Sequence, residues 1–384
     1  MGLKCLYKEN GDSVTILRCY GEYGRIVLPE SINGKKVTEL GDYIFSEDMR
    51  HKPEGKIWTE NGTSEERCAD ENTAACGSRV REICLPSTIK KIGRYAFYNC
   101  YSLKKLAMFS TAVDIGAGAF NGCRQIDELT IGVIKGERSC LKEVLAELNE
   151  SLTVFYRQYE KSGDGELKCT GRAQLLFPVF YEEAVENTPA RILETHVHGC
   201  GHRYRYAFEG TEFKFREYDS LFIHARAQES PQQAAVLALG RLRYPLELSQ
   251  EASVTYREYL VQHPVEAAAC LLKNDSMEDW RWFVGEFTPC GEKMIKVEHA
   301  AAGCLGNEGY AVRAREEYSD IKKPVLGKTG FAKLIEASNQ AECTEVTSFL
   351  MDASYRAYPP ENIADLLNIK AEKNNSIVFF SLII

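Results

Sequence analysis

The 384-residue sequence lacks the long hydrophobic runs that membrane spans require. No stretch approaches the roughly 18 apolar residues that a spanning helix needs. Its first twelve residues contain no apolar run behind a basic start, which does not fit a secretory signal. The 14 cysteines are sparse compared with those of a small disulfide-rich domain, which favours reduced thiols over a disulfide framework. The sequence therefore predicts a cytoplasmic protein without a membrane span.

An excess of positive charge is also missing. The 47 Lys and Arg residues face 55 Asp and Glu residues, for a net charge of −8, which opposes broad contact with nucleic acid phosphates. The sequence contains no GxxxxGK[ST] loop, no GxGxxG turn after a strand, no nucleophile elbow and no CxxC pair. These absences predict a protein that is not an enzyme, with no nucleic acid partner and no cofactor. The length predicts at least two folded domains.

A segment that repeats with a step of 23 residues is the strongest pattern present. Residues 92–100 (IGRYAFYNC) match residues 115–123 (IGAGAFNGC). The same step relates Ile83, Leu106 and Leu129, each within a short alternating segment. Such a unit, a short strand followed by a turn, buries its apolar side only when neighbouring units stack on it. The repeat therefore predicts a β-solenoid.

An earlier copy of the unit precedes these repeats. Residues 26–29 (IVLP) and 40–45 (LGDYIF) match residues 83–86 and 92–97. The larger offset between the first copy and the next places an insertion of about 29 residues within 46–79. Because that segment is polar and lacks apolar periodicity, it predicts an excursion on the surface of the solenoid.

These motifs resemble a known repeat family. The pattern lPxxIxxIGxxAFxxCxxLxxL, present from Leu85 to Leu106 and in part from Val113 to Leu129, is similar to that of the bacterial surface-antigen (BspA-like) leucine-rich repeats. The resemblance covers residues 13–135 and implies a solenoid that binds proteins, with the cell surface as an alternative location. It also implies that the Phe and Cys residues of AFxxC pack in the core: Phe97, Cys100, Phe120 and Cys123.

The residues that follow the repeats change pattern twice. Residues 139–159 carry apolar residues at helical spacing and predict a helix that caps the last repeat: Leu141, Val144, Leu145, Leu148 and Leu152. Alternation across 173–225 predicts strands, including a hairpin in which Tyr204, Tyr206 and Phe208 oppose Phe213 and Phe215.

From Ser230 the pattern becomes helical, with Pro231 at the first helical position. It predicts helices near 231–243, 249–262, 265–274, 276–286, 292–303, 330–339 and 343–356. Residues 334–354 have a faint likeness to one ankyrin repeat, although its Thr-Pro-Leu-His start is absent. The predicted fold class is α+β and multidomain: a solenoid (1–137), a capping helix and linker (138–162), a β-rich region (163–228) and an α-helical, repeat-like domain (229–384).

Exposed charges on the repeat strands are the candidate binding residues. A solenoid presents a regular face whose side chains vary without disturbing the stack, which suits recognition of proteins. The sequence therefore predicts a non-enzymatic interaction scaffold with an unidentified protein partner. Its candidate contacts are Arg81, Glu82, Lys104, Lys105, Asp127 and Glu128.

A cluster of histidine and cysteine supports an alternative function. His196, His198, Cys200 and His202 occupy every second position, so an extended strand would place them on one face. With the intervening glycines, three or four of them could converge on zinc, although the spacing matches no standard zinc framework. The alternative hypothesis is a zinc-binding protein organised around these residues.

A third hypothesis concerns the hairpin near residue 210. Basic residues alternate there with aromatic ones, as in some nucleic acid platforms: Arg203, Arg205, Lys214 and Arg216 with Tyr204, Tyr206, Phe213 and Phe215. Alternation would place the aromatic rings on the opposite face, where such rings usually form core. Together with the acidic total, this ranks nucleic acid binding last.

Overall fold

The computed structural model describes residues 2–21, 24–49, 51–60, 73–163, 165–187, 192–288 and 324–359. The chain divides into two compact units, Met1–Ala252 and Ser253–Ile384. The helix predicted near 292–303 lies outside the described residues. The finer four-part division of the chain stays a prediction.

Residues 13–159 form the predicted β-solenoid, which is built from two sheets. The first sheet has the strand order β10-β8-β5-β2-β1-β6, with β4 beside β5. Its strands are β1 (Lys4–Asn10), β2 (Ser13–Tyr20), β4 (Ser31–Ile32), β5 (Lys35–Leu40), β6 (Lys56–Thr59), β8 (Lys91–Ile92) and β10 (Asp114–Ile115). The second sheet has the order β13-β12-β11-β9-β7-β3. Its strands are β3 (Arg25–Val27), β7 (Glu82–Cys84), β9 (Lys105–Phe109), β11 (Glu128–Ile134), β12 (Leu152–Lys161) and β13 (Leu167–Phe177).

The repeat register is the one that the sequence predicts. Ile26 pairs with Ile83, Ile83 with Leu106, and Leu106 with Leu129, all in parallel. Val154 of β12 continues the row beyond the predicted repeats. All five side chains are buried, so each parallel strand adds one apolar side chain to a continuous core.

A second stack of core residues comes from the AFxxC motifs. The rings of Phe45, Phe97 and Phe120 are parallel, with successive centroids 5.4 and 5.1 Å apart. The thiol of Cys100 donates to the carbonyl oxygen of Phe45 at 3.2 Å, and that of Cys123 donates to the carbonyl oxygen of Phe97 at 3.0 Å. The packing role implied by the resemblance is therefore confirmed, and each thiol ties its own turn to the turn before.

The glycine of each IGxxAF motif is required by the close approach of adjacent turns. A Cβ atom on Gly93 would lie 2.5 Å from the carbonyl carbon of Gly41. On Gly116 it would lie 2.6 Å from the carbonyl carbon of Gly93. Because backbone cannot move aside as a flexible side chain does, any larger residue must push two turns apart.

We expect Gly116→Ala to lower the free energy of unfolding by about 3 kcal/mol, at the upper end of ordinary overpacking costs. Urea unfolding followed by circular dichroism measures the loss. Gly163→Ala is the matched control, because a Cβ atom on that exposed glycine meets nothing within 4 Å. The control is expected to stay within about 0.5 kcal/mol of wild type. Equal losses in both variants would contradict the steric explanation.

The predicted capping helix is wrong over its second half. Helix α1 spans only Leu141–Glu147, and Leu152–Lys161 is a strand that pairs in parallel with β11. From Leu152 to Tyr156 the buried residues recur at every second position, which is the period of a strand. Helix α1 nevertheless contacts the last repeat of the first sheet, which ends with β10. The carboxylate of Glu147 accepts a hydrogen bond from the backbone N–H of Phe120 at 2.9 Å.

Two described parts of the insertion at 46–79 pack against the rest of the solenoid. Its strand β6 pairs antiparallel with β1 and extends the first sheet. Ala74 and Cys76 pack with Leu6 and Tyr20 in a small buried cluster. The prediction of a surface excursion is therefore wrong for β6 and for the segment around Ala74 and Cys76. The mostly polar composition of the insertion gave no sign of these few apolar contacts.

Beyond the solenoid, the first unit continues with two hairpins and several helices. Strands β14 (Tyr181–Asn187) and β15 (Ile192–His198) form one antiparallel pair, and β16 (Phe208–Glu209) and β17 (Glu212–Phe213) form another. The helices are α2 (Gly201–Tyr204), α3 (Phe215–Ser220), α4 (Phe222–Gln228) and α5 (Pro231–Arg243). The predicted hairpin at 204–215 is therefore correct only at its turn, because helices replace both outer ends of its strands.

Helices dominate the described part of the second unit, as predicted. They are α6 (Gln250–Gln262), which begins just before it, α7 (Pro264–Lys273), α8 (Met277–Phe287), α9 (Lys328–Gln340) and α10 (Thr344–Ala357). The ankyrin likeness falls on α9 and α10 and stays a prediction.

Candidate protein-interaction surface

The outer face of the second sheet carries the predicted charges in one row. Arg25, Glu82, Lys105 and Glu128 are in register on successive parallel strands, so their charges alternate in sign. Arg25 Nε lies 3.0 Å from Glu82 Oε1, and Lys105 Nζ lies 2.8 Å from Glu128 Oε2. The hydrogen bond that Lys105 donates to the Glu128 carboxylate raises the pKa of Lys105 above its ordinary value. We call these four residues the charged row.

The other three predicted contacts lie one residue before the strands. Arg81, Lys104 and Asp127 are exposed, and the amides of Lys104 and Asp127 donate to the carbonyl oxygens of Arg81 and Lys104 at 2.8 and 3.1 Å. The six candidates thus form two adjacent rows along one margin of the sheet. Whether they contact a partner stays a prediction.

A stripe of mostly small side chains runs beside the charged row. Its members share the outer face and are in register two residues further along each strand: Val27, Cys84, Ala107, Thr130 and Phe155. Val27 is exposed and the others are half-buried. We call this the central stripe. Burial raises the pKa of the Cys84 thiol, so the stripe presents an apolar floor rather than a reactive nucleophile.

Aromatic and basic residues border the other side of the central stripe. The rings of Phe109 and Tyr159 are 5.2 Å apart, and Gly132 lies beneath the Phe109 ring. Arg157 is exposed on the same face. The contributions of β12 do not follow from the apolar spacing of residues 139–159, because that spacing predicts a helix. The alternation of Thr153, Phe155, Arg157 and Tyr159 with buried residues was the signal that could have shown them.

The edge of this sheet formed by β13 is covered by other parts of the chain. At the β13 end, the hydroxyl of Tyr218 accepts from the amide of Leu176 at 2.9 Å and donates to its carbonyl oxygen at 2.8 Å. Helix α5 also packs close to β13, since a Cβ atom on Gly240 would lie 3.0 Å from the Gln174 carbonyl oxygen. These contacts protect that edge from pairing with another strand. Along the outer face from β3 to β12, exposed side chains include Arg25, Val27, Lys105 and Arg157.

The structure separates the four residues of the predicted zinc cluster. His198 contacts Glu183 (Nε2 to Oε2, 3.1 Å), and His196 Nε2 lies 3.6 Å from Glu194 Oε2. His202 packs between the rings of Phe180 and Tyr206, with centroids 5.3 and 4.6 Å away. The strand ends at His198, so of the four side chains His196 and His198 share an extended face, and Cys200 and His202 lie beyond it. Zinc binding stays a prediction without a converged ligand set.

Cys200 is buried, and its thiol bonds to Glu229. Its Sγ donates to Glu229 Oε1 at 3.0 Å. Burial, followed by this hydrogen bond, raises the pKa of the thiol far above its ordinary value, so it stays protonated at neutral pH. Among the described residues, no group of three or more His, Cys, Asp or Glu side chains is arranged to hold a metal ion.

The basic stripe predicted near residue 210 does not form. Arg205 is buried, Lys214 pairs with Glu209 and Glu212 at 2.9 and 2.8 Å, and Arg203 faces His224. Tyr204, Phe213 and Phe215 are core residues, as their alternation suggests, whereas Tyr206 is exposed. Short helices turn these side chains in different directions, which removes the shared face that nucleic acid stacking requires.

A stack of short parallel strands with one open face is the architecture of a repeat protein. Residues 71–146 match the family described as BspA type leucine rich repeat region, with 6 copies. The resemblance predicted from the sequence is confirmed for this part of the chain. No curated protein matches.

Two solved structures are similar over part of the chain. A leucine rich repeat protein of T. pallidum is 18% identical with a TM-score of 0.22, over 38% of this chain and 56% of that one. A leucine rich cell surface protein from Faecalibacterium prausnitzii A2-165 is 16% identical with a TM-score of 0.21, over 42% and 57%. The chain thus spans a little over half of each. In the described ranges, the helices are all too short or too polar to cross a bilayer.

Proposed function

We propose that this protein is a non-catalytic scaffold that binds another protein on the outer face of the second sheet. The supporting observation is the unbroken order on that face. The central stripe lies between the charged row and the border formed by Phe109, Tyr159 and Arg157. Such a face offers apolar contact in the middle and polar contacts around it, which is the usual layout of a protein interface.

The charges on this face indicate the kind of partner. The charged row contains two positive and two negative side chains that pair with each other, so it has little net field to attract a highly charged molecule. The small side chains of the central stripe admit close approach by another backbone. We propose that the occupant is a protein segment with apolar side chains and interspersed charges.

A pair of variants tests this function. Ala107→Arg places a long charged side chain in the middle of the central stripe. Ser102→Arg makes a similar change at a half-buried turn residue that precedes β9. The full-length proteins are immobilised and exposed to extract of the source cells, and retained proteins are identified by mass spectrometry. We expect wild type and Ser102→Arg to retain the same protein, and Ala107→Arg to lose it at least about tenfold.

Three results would contradict this proposal. Retention of the same protein by Ala107→Arg would place the interface elsewhere on the chain. Equal loss in both variants, with unchanged circular dichroism, would show that the effect is not specific to the central stripe. An activity that depends on a described side chain outside this face would contradict the non-catalytic part of the proposal.

We propose a reducing, cytoplasmic location on the basis of the cysteines. The eleven cysteines in the described ranges are free thiols. Cys5 and Cys19 are buried opposite each other on β1 and β2, with Sγ atoms 4.0 Å apart, a pair that an oxidising compartment would readily bridge.

We expect protein purified from its source, with thiols blocked during lysis, to contain all 14 cysteines in reduced form. Mass spectrometry of the alkylated, denatured chain counts them. A count lower by two, with Cys5 and Cys19 in one disulfide, would instead support the cell surface.

A further inference from the structure

The hairpin β14–β15 exposes both of its faces. Its residues form a separate two-stranded sheet, and among the described residues neither strand pairs with a third. Leu193 is 73% exposed and Val197 is 44% exposed, both on β15. A two-stranded hairpin is marginally stable alone, and a free strand edge with apolar side chains is a template for pairing with another chain.

The sequence of β15 is complementary to itself in the antiparallel direction. If two copies pair about a two-fold axis at Thr195, then Leu193 lies opposite Val197 of the other copy. In the same register Glu194 lies opposite His196, and Thr195 lies opposite itself. Side chains on a strand alternate between faces, so the apolar pairs share one face and the Glu–His pairs share the other. Each favourable pair occurs twice because of the symmetry.

The other edge of the hairpin lacks this property. An antiparallel pairing of β14 with itself about Ala184 would place Glu182 directly opposite Glu186. Like charges directly opposite each other destabilise a strand pair, and here too the symmetry doubles the effect. In registers centred on the middle of each strand the two edges of the hairpin therefore differ, and that of β15 suits a second copy better.

We propose that β15 pairs antiparallel with β15 of a second copy of this chain, forming a four-stranded sheet across a two-fold axis. On one face, Leu193 of each copy would pack against Val197 of the other, which gives two apolar pairs, one on each side of the central Thr195 residues. Glu186 and Glu182 of β14 are the cross-strand neighbours of Leu193 and Val197, so they border these pairs and keep their rim in water. On the opposite face, Glu194 of each copy would accept a hydrogen bond from His196 of the other. This surface is distinct from the solenoid face, so it allows the dimer to present two scaffolds.

Cysteine cross-linking tests the register. Thr195→Cys places two thiols opposite each other on the axis, within disulfide reach. Ala184→Cys is the matched control, because Ala184 is the cross-strand neighbour of Thr195, on the same face and also exposed. Across the dimer, two copies of residue 184 would be three strand spacings apart, about 14 Å, which is too far to bridge. We expect mild oxidation to give a covalent dimer of Thr195→Cys but not of Ala184→Cys or wild type.

Sedimentation equilibrium of the full chain tests association without a cross-link. We expect wild type to dimerise with concentration between about 1 and 100 µM, and Leu193→Glu to weaken the dimer by at least about tenfold. Val185→Glu is the matched control. Both variants place two glutamates opposite each other within one hairpin. The new glutamate at 193 faces Glu186, and the one at 185 faces Glu194. Of the two positions, residue 193 alone lies at the proposed interface.

Three results would overturn the proposal. One is a wild-type chain that stays monomeric over the whole concentration range, which would leave the β15 edge to a different protein or to none. Another is equal cross-linking of Thr195→Cys and Ala184→Cys. The third is equal weakening by Leu193→Glu and Val185→Glu, which would assign the effect to the stability of the hairpin.

Discussion

Replacement of Arg205 by methionine is expected to lower the free energy of unfolding by about 4 kcal/mol or more, since each buried carbonyl left without its donor costs about 1–3 kcal/mol. The Arg205 guanidinium donates to the carbonyl oxygens of Leu148, Glu150, Pro178 and Gly201 at 2.6–3.0 Å. Burial lowers its pKa to about 10, which leaves it charged at neutral pH. It therefore joins the end of the solenoid to the segments on both sides of the β14–β15 hairpin.

Two further variants sharpen this prediction. Arg205→Lys keeps the charge, but a single ammonium cannot reproduce the planar fork that reaches four carbonyl oxygens, so we expect most of the loss to remain. Arg203→Met is the control, because Arg203 is exposed and changes by at most about 0.5 kcal/mol are expected there. Urea unfolding measures all three. A loss below about 1 kcal/mol in Arg205→Met would contradict the structural role.

The ion pair between Arg241 and Asp219 is the second site with a large expected effect. Both side chains are almost fully buried, with Nε to Oδ1 at 2.7 Å and Nη2 to Oδ2 at 2.9 Å. Arg241 also donates to the carbonyl oxygen of Leu246 and lies over the ring of Phe215. Arg241→Met removes one charge and leaves that of Asp219 buried without a partner charge. We therefore expect the free energy of unfolding to fall by about 3–5 kcal/mol.

The double variant separates the ion pair from the packing around it. Arg241→Met combined with Asp219→Leu leaves no buried charge, so its loss should be smaller than that of Arg241→Met alone. The exposed pair of Arg94 and Asp42 is the comparison, since Arg94→Met should cost at most about 1 kcal/mol. If the loss of unfolding free energy in the double variant equals the sum of the losses in Arg241→Met and Asp219→Leu, the two buried charges are not coupled.

The repeats could be predicted because their pattern is local and recurs. Ile83, Leu106 and Leu129 occupy the same place in successive units, and each is buried where its unit stacks on the next. The helices after Ser230 were also predictable, since a serine N-cap followed by proline marks the start of α5, and the Ser230 hydroxyl accepts from the amide of Gln233.

The remaining features depend on contacts between distant residues. Leu141, Val144 and Leu145 follow a helical period, and the same apolar pattern continues into Leu152 although the chain there is a strand. The β11 edge decides this outcome, because it supplies backbone partners for a further parallel strand. Likewise, the burial of Arg205 is set by four carbonyl oxygens, three of them in segments remote in sequence, and no local motif marks it.

Because the unit repeats with a step of 23 residues, the number of turns sets the length of the proposed binding face. Successive turns contact each other through the same phenylalanine stack, thiol hydrogen bond and glycine. One more copy of residues 94–116 would therefore make the same contacts with the turn on each side of it. Every added turn would lengthen the face by one strand spacing, about 4.8 Å. Duplication of one repeat within the gene would thus lengthen the proposed interface without changing the two ends of the solenoid.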